Sequence, residues 1–304
     1  MKAKAQRLLL AWYEEHGRSR LPWREVRDPY RTLVAEFMLQ QTQVDRVVPK
    51  FRSFIERFPT IRVLAAAGTA EVLRLWQGLG YNSRAVRLRE IAQIVVERHA
   101  GEIPSELSAL RALPGVGAYT AAAIRAFGYD CDDAAPDTNV RRICHRVLYG
   151  IEYPPRATLA ALDADAREAV PPGRGHDWNS AMMDLGSSLC TARAPKCLLC
   201  PLKTVCAAAP LDAAELDGAR RQNAGSVSAQ AAIPFEQSTR FARGRIVDRL
   251  RALPEGANIS LLDLHRELQP VLAGRSCDEL AAIVSALARD GLVQERDGAL
   301  ALHE

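Results

Sequence analysis

Apolar residues early in the chain recur at three- and four-residue spacing, as in Val72, Leu75 and Trp76 or Ile91, Ile94 and Val95. That is the period of helices that bury one face. The opening MKAKAQRLLLAWYEEHG reads as one such amphipathic helix. Punctuation by Gly and Pro at Leu21-Pro22, Gly78–Gly80 and Pro114–Gly117 separates successive short helices. No strand alternation or internal repeat interrupts this pattern, so residues 1–207 are expected to form an all-α domain. From 208 to 239 the pattern dissolves into Ala, Gly, Ser, Gln and Asp, the composition of a linker. Periodicity returns in 240–304, with helices expected near 241–252, 260–268 and 277–289. The tail GLVQERDGALALH then predicts two short strands around Asp297-Gly298. Three helices and a hairpin suggest a small winged-helix-like α+β domain, which leaves the chain mainly α.

Composition changes this picture little. Of 304 residues 48% are apolar and 25% charged, as in an ordinary globular protein. A net charge of +4 suits an anionic partner such as nucleic acid, although many proteins are this basic. No stretch has the form of a signal peptide or the length of a membrane span, so a cytoplasmic protein with no membrane partner is expected.

The cysteines change it more. Cys131, Cys144 and Cys277 are scattered, but Cys190, Cys197, Cys200 and Cys206 form the pattern C-x6-C-x2-C-x5-C. In a reducing compartment such a group points to metal rather than to disulfides. Four thiolates suit either zinc or an iron–sulfur cluster, and ligand chemistry alone does not separate the two.

Three other segments carry candidate chemistry. Leu113-Pro114-Gly115-Val116-Gly117 lies between the expected helices Ser105–Ala112 and Ala118–Phe127. Its two glycines permit a sharp turn whose amides could approach a phosphate, with a helix N-terminus behind them. It could equally be a plain helix–helix turn. Leu33-Val34-Ala35-Glu36-Phe37-Met38-Leu39 sets one carboxylate among apolar neighbours. Desolvation there would raise its pKa and let Glu36 act as a general acid, unless it simply faces solvent. Asp137 opens a helix at Asp137-Thr138-Asn139-Val140. It could be an ordinary N-cap, or a carboxylate that stabilises a sugar cation.

Together these segments resemble the MutY-type adenine DNA glycosylases of the helix-hairpin-helix, iron–sulfur endonuclease III/MutY superfamily. The resemblance runs from about Leu8 to Cys206. It includes Leu21-Pro22-Trp23-Arg24, Ala35-Glu36-Phe37-Met38-Leu39-Gln40-Gln41-Thr42-Gln43, the hairpin, Asp137, Met182-Met183-Asp184-Leu185-Gly186 and the four cysteines. It implies a helix-hairpin-helix glycosylase fold whose cysteine loop holds an architectural [4Fe–4S] cluster and presents Arg193 and Lys196 to DNA. It makes Gly115, Val116 and Gly117 a phosphate grip. Glu36 becomes the acid that protonates adenine N7, and Asp137 the group that stabilises the sugar, supported by Asn139 and Tyr119. Bifunctional relatives carry a Lys at the Tyr119 position, where it forms a Schiff base. A phenol cannot, so a monofunctional enzyme without β-lyase activity is expected.

Gln41 and Tyr81 match residues that enter the base stack during flipping, and Thr42 and Leu79 are further implied DNA contacts. The implied partner is double-stranded DNA with a mismatched or damaged base, bound by a monomer in base excision repair. The implied target is adenine opposite 8-oxoguanine or guanine.

Two departures stand out. Asn82 follows Tyr81 where a second Tyr is common, and 240–304 is too short for the Nudix-like domain that usually ends these proteins. A mismatch thymine or uracil glycosylase on the same scaffold competes with this reading. So does a non-catalytic iron–sulfur DNA-binding protein.

Overall fold

In the computed structural model, which describes residues 3–223, 234–272 and 274–304, the helical spacing resolves into fifteen α-helices. In chain order they are α1 (Ala3–His16), α2 (Pro29–Leu39), α3 (Val44–Arg57), α4 (Ile61–Ala66), α5 (Thr69–Leu75), α6 (Ser83–Arg98), α7 (Leu107–Arg111) and α8 (Ala118–Ala123). There follow α9 (Thr138–Tyr149), α10 (Leu159–Glu168), α11 (Gly175–Ser188), α12 (Ala213–Asn223), α13 (Thr239–Arg251), α14 (Leu261–Leu268) and α15 (Cys277–Arg289). Three strands, β1 (Ile259–Ser260), β2 (Val293–Arg296) and β3 (Ala299–Leu302), lie near the C-terminus. The chain is therefore mainly α with a small α+β end.

Two compact units emerge, one made of Met1–Leu33, Ser105–Ala112 and Val116–Ser228, the other of Val34–Pro104, Leu113–Gly115 and Ala229–Glu304. In the first, the apolar stripes of α1, α9 and α11 share a core of Leu9, Leu10, Ile143, Cys144, Trp178, Met182 and Leu185. Two glycines admit α11 to this packing. A Cβ on Gly175 would lie 2.1 Å from the Cys131 carbonyl oxygen, and one on Gly186 would lie 2.6 Å from Asn139 Cβ. The Asp184 carboxylate, buried on α11, receives the Arg18 amide at 2.8 Å and the Arg24 guanidinium at 2.9 Å. Two segments 160 residues apart are thus joined by an ion pair whose Arg24 and Asp184 side chains are only 6% and 3% exposed.

The second unit buries Phe37, Phe51, Phe54, Phe58, Leu73, Trp76, Leu88 and Ile91. Phe54 meets Phe58 and Trp76 edge-on, with centroids 4.9 and 6.1 Å apart. Its C-terminal part packs α13, α14 and α15 with an antiparallel sheet of order β1-β3-β2. Val293, Leu300 and Leu302 point inward from the sheet. Asp297 and Gly298 both take positive φ, +52° and +74°, as a two-residue hairpin turn demands. This part is no free-standing appendage within its unit. Thr69 Oγ1 donates to the Glu304 carbonyl at 3.2 Å, and Arg251 Nη2 donates to Asn82 Oδ1 at 3.2 Å.

Several details differ from expectation. The segment read as a linker contains α12, because Asp212 caps the Ala214 and Glu215 amides and Leu216 supplies a buried anchor. One apolar anchor in eleven residues leaves no visible period. The rest of that segment from 224 to 233 lies outside the described residues. Strand β1 was not foreseen because two residues cannot show alternation. The helix expected over Ala118–Phe127 is α-helical only to Ala123 and continues as a π-turn, Ile124–Gly128.

Burial opposes ionisation of Asp184, but Arg24 and Arg18 outweigh it and hold the carboxyl below its usual range. Its stabilising effect is therefore complete above the ordinary carboxylate pKa and is lost as pH falls through the lower folded value. Asp184→Ala is expected to cost about 3–5 kcal/mol in urea unfolding at neutral pH. The gap to wild type should close below about pH 4. A gap that persists in acid would contradict the ion-pair account.

Candidate active site

Glu36 lies on the last turns of α2 and is only 8% exposed, between Ala35 and Phe37, each 1% exposed. The alternative of a solvent-facing glutamate is therefore excluded. A helix that stops inside protein leaves its final carbonyls without amide donors. Here Arg84, buried at the start of α6, supplies them. Its Nη1 donates to the carbonyls of Phe37 at 2.6 Å, Met38 at 3.1 Å and Gln40 at 2.6 Å. Its Nη2 donates to Thr42 Oγ1 at 3.2 Å and to the Leu79 and Gly80 carbonyls at 3.0 Å. One guanidinium thus fixes the chain after Glu36 and ties it to the Gly78–Tyr81 loop. Burial lowers its pKa to about 10, which still leaves it cationic at neutral pH, where it complements the negative end of α2.

This tie brings four expected DNA contacts together. Gln41, Thr42, Leu79 and Tyr81 line one groove. Gln41 and Tyr81 adopt positive φ, +55° and +45°, a region that costs non-glycine residues of order 1–3 kcal/mol and is common at functional sites. The Tyr81 ring lies under the Arg84 guanidinium, 5.5 Å from its centroid.

Asp137 serves as the N-cap of α9, accepting from the Val140 amide at 2.8 Å. It is also the start of a relay. Asn139 Nδ2 donates to Asp137 Oδ2 at 2.8 Å, and Arg142 Nη2 donates to Asn139 Oδ1 at 2.8 Å. Arg142 Nε donates onward to the Cys190 carbonyl at 2.9 Å. The carboxylate is therefore held by its own helix, and that helix is fastened to the cysteine loop. Tyr119, on the first turn of α8, packs against the apolar cluster of Ala122, Ala123, Phe127 and Ala135, beside Met183.

In the hairpin, only Gly115 needs to be glycine for its backbone, with φ +76°. Gly117 has an ordinary φ of −82° and caps α8, and a Cβ there would meet nothing within 4 Å. The expectation that both glycines make the turn is thus corrected. Gly117 instead supplies no side-chain cap to α8, and Val116 is buried.

Cys190, Cys197, Cys200 and Cys206 line a single small cavity with Leu189 and Leu211. Among the described residues, no three His, Cys, Asp or Glu side chains converge as ligands of one ion. Arg146 on α9 borders the cavity. Its Nη1 donates to Cys190 Sγ at 3.5 Å and to the Thr191 carbonyl at 2.7 Å, while Glu152 grips its other edge at 2.6 and 2.8 Å. Burial pushes the Cys200 thiol up to about 11. Arg193 and Lys196 are exposed on the same loop.

A family model described as "HhH-GPD superfamily base excision DNA repair protein" matches residues 34–164, a span that includes Glu36, the hairpin and Asp137. Over 299 residues the chain is 37% identical to the adenine DNA glycosylase of Mycolicibacterium smegmatis, covering 97% of this chain and 94% of that protein. The chain belongs to the adenine DNA glycosylase family. The adenine DNA glycosylase of Mycobacterium tuberculosis is 39% identical over 246 residues, covering 80% of this chain and 77% of that one. Among solved structures, a thermostable thymine-DNA glycosylase is 29% identical with a TM-score of 0.62, over 67% of this chain and 95% of that chain. An endonuclease III bound to DNA shares the fold, with a TM-score of 0.57, 21% identity and coverage of 68% and 96%.

Three arginines of this family member were not singled out from sequence. Arg142 follows Asn139 by three residues on one helix face, a spacing that flags a partner. Arg146 sits one turn further on. Arg84 is a basic residue in the first turn of a helix, where the dipole disfavours it. That misplacement was its available signal. Lysine lacks the planar fork that reaches six acceptors, so Arg84→Lys is expected to lose about 2 kcal/mol or more, with Tm lower by several degrees. An unchanged melting curve would show that the α2 carbonyls are satisfied without it.

Proposed function

We propose that this protein is a monofunctional DNA N-glycosylase of base excision repair that releases adenine mispaired with 8-oxoguanine or guanine. The observation that carries the reading is the buried Glu36 side chain on an apolar helix end, shielded from bulk water as a general acid for the base would need to be. In this mechanism Glu36 delivers its proton to adenine N7, so that the electron pair of the breaking glycosidic bond leaves with a neutral base. The sugar retains positive charge, which Asp137 stabilises until water adds at the anomeric carbon. Asn139 and Arg142 keep the Asp137 carboxylate oriented. Tyr119 stands where an imine-forming lysine would be needed for strand cleavage, and it supports Asp137. The hairpin from Gly115 to Gly117 grips phosphate, with Arg193 and Lys196 adding charge. Flipping of the base engages Gln41, Thr42, Leu79 and Tyr81. No described helix is long and apolar enough to cross a membrane, and the reading is of a cytoplasmic monomer acting on duplex DNA.

Cys190, Cys197, Cys200 and Cys206 would hold a [4Fe–4S] cluster. The four cysteines line one cavity, and their C-x6-C-x2-C-x5-C spacing supports the cluster over zinc. When bound, the cluster supplies architecture for the loop rather than chemistry on the base.

Single-turnover release of adenine from a duplex should fall by about 10²-fold or more in Glu36→Gln and in Asp137→Asn. Duplex affinity should stay near wild type in both. Parallel duplexes with thymine or uracil opposite guanine decide the competing substrate, and release of those bases in preference to adenine would overturn the assignment. Product strands should break only after alkali. Protein as purified is expected to be brown, with iron and sulfide in equal amounts, and Cys197→Ser should lose both. Zinc without sulfide would refute the cluster.

A further inference from the structure

We infer that the start of α13 and the turn before it complete a DNA-binding groove with the Tyr81 loop, and that Arg240 and Phe235 there hold an unstacked nucleotide of the DNA. The inference rests on the DNA glycosylase reading and extends it to the C-terminal part of the chain. Arg240 lies over the Tyr81 ring at 4.1 Å from its centroid and over Phe235 at 5.6 Å. Tyr81, Phe235 and Arg240 line one groove with Arg46 and the two glycines of the Gly78–Gly80 turn.

Four features suit this groove to nucleic acid. Its other arginines from α13 are spent internally, Arg243 on Asp290, and Arg245 and Arg251 on Asp248 at 2.6 and 2.8 Å. Asp248, the carboxylate lining the groove, is thereby neutralised. Arg240 and Arg46 are exposed and have no carboxylate partner among the described residues, so their charge faces outward. Phe235 meets Phe241 edge-on at 5.5 Å between centroids and is still 53% exposed, so aromatic surface faces the solvent. Gly78 and Gly80 have φ of +88° and +71°, and a Cβ on Gly80 would meet nothing within 4 Å, so the backbone is open to close approach.

Cations beside partly exposed aromatic rings are what a base and its phosphate require together. The base stacks on a ring or a guanidinium plane, and the phosphate pairs with arginine. Arg240 already occupies the Tyr81 face, so a base entering there either slides between ring and guanidinium or moves Arg240 onto the phosphate. Either way Arg240 contacts the DNA.

The test is fluorescence-anisotropy titration of wild type, Arg240→Ala, Arg240→Lys and Arg266→Ala with a duplex carrying adenine opposite 8-oxoguanine, across a salt series. Arg266 is a control, an exposed arginine on α14 outside the groove. Arg240→Ala should weaken binding about tenfold and lower the salt slope by about one. Arg240→Lys should keep the slope but recover only part of the affinity, and Arg266→Ala should match wild type. Thermal melts equal to wild type exclude a folding defect. Wild-type affinity in Arg240→Ala, with wild type itself binding, overturns this inference and leaves the glycosylase reading intact. Failure of wild type to bind any duplex overturns both.

Discussion

A helix whose end is buried must find donors for its last carbonyls, and in this protein one guanidinium provides them. Arg84 collects the carbonyls of Phe37, Met38 and Gln40 and, from its other edge, those of Leu79 and Gly80. An arginine placed so deep costs several kcal/mol in desolvation, which is recovered only when the remaining geometry is good. Six acceptors and two aromatic faces, Trp76 at 5.4 Å and Tyr81 at 5.5 Å, meet that condition. The consequence reaches function because the same bonds immobilise the segment that follows Glu36 and the loop that carries Tyr81.

A second helix does comparable work in the other unit. Helix α9 begins at Asp137 and carries Asn139, Arg142 and Arg146 down one side. Arg142 and Arg146 both reach the backbone around Cys190. On the proposed reading, in which Asp137 stabilises charge as it develops, the carboxylate gains most when it does not have to reorganise. Here its orientation is set by its own helix cap, by an amide side chain and by an arginine anchored to the cysteine loop. This gives physical content to an architectural role for the loop. What stiffens the loop also stiffens the helix that positions the acid.

Much of this was legible in the chain because it rests on local rules. Helix periodicity, the Asp297-Gly298 hairpin turn and the N-cap at Asp137 depend on neighbours in sequence, and they are found where those rules put them. The apolar neighbours of Glu36 left its burial open, and it was the resemblance to the adenine glycosylases that favoured it. The less legible parts depend on partners distant in sequence. Nothing near Arg84 announces that carbonyls more than forty residues earlier lack donors. Asp184 reads as one polar residue in a helical motif until Arg18 and Arg24 arrive from 160 or more residues away. Helix α12 was hidden for the opposite reason, since a helix with one buried anchor has no period to read. The C-terminal part reads as a separate module because its own pattern closes on itself, and the hydrogen bonds of Thr69 and Asn82 to it leave no trace in either segment.

The two left-handed residues bind these threads together. Gln41 and Tyr81 are not glycines, and each is held in a conformation that a free chain would leave. Neither could persist on a loose loop. Both flank acceptors of Arg84: Gln40 and Thr42 on one side, Leu79 and Gly80 on the other. The strain is sustained by a single buried cation because its fork satisfies both loops at once, and losing it would leave the buried Phe37, Met38 and Leu79 carbonyls without that donor. On the proposed reading, side chains that enter a DNA stack gain from projecting before the DNA arrives, since ordering them on binding would lower affinity. In physical terms, the buried arginine converts hydrogen-bond demand at a helix end into a fixed conformation of both loops.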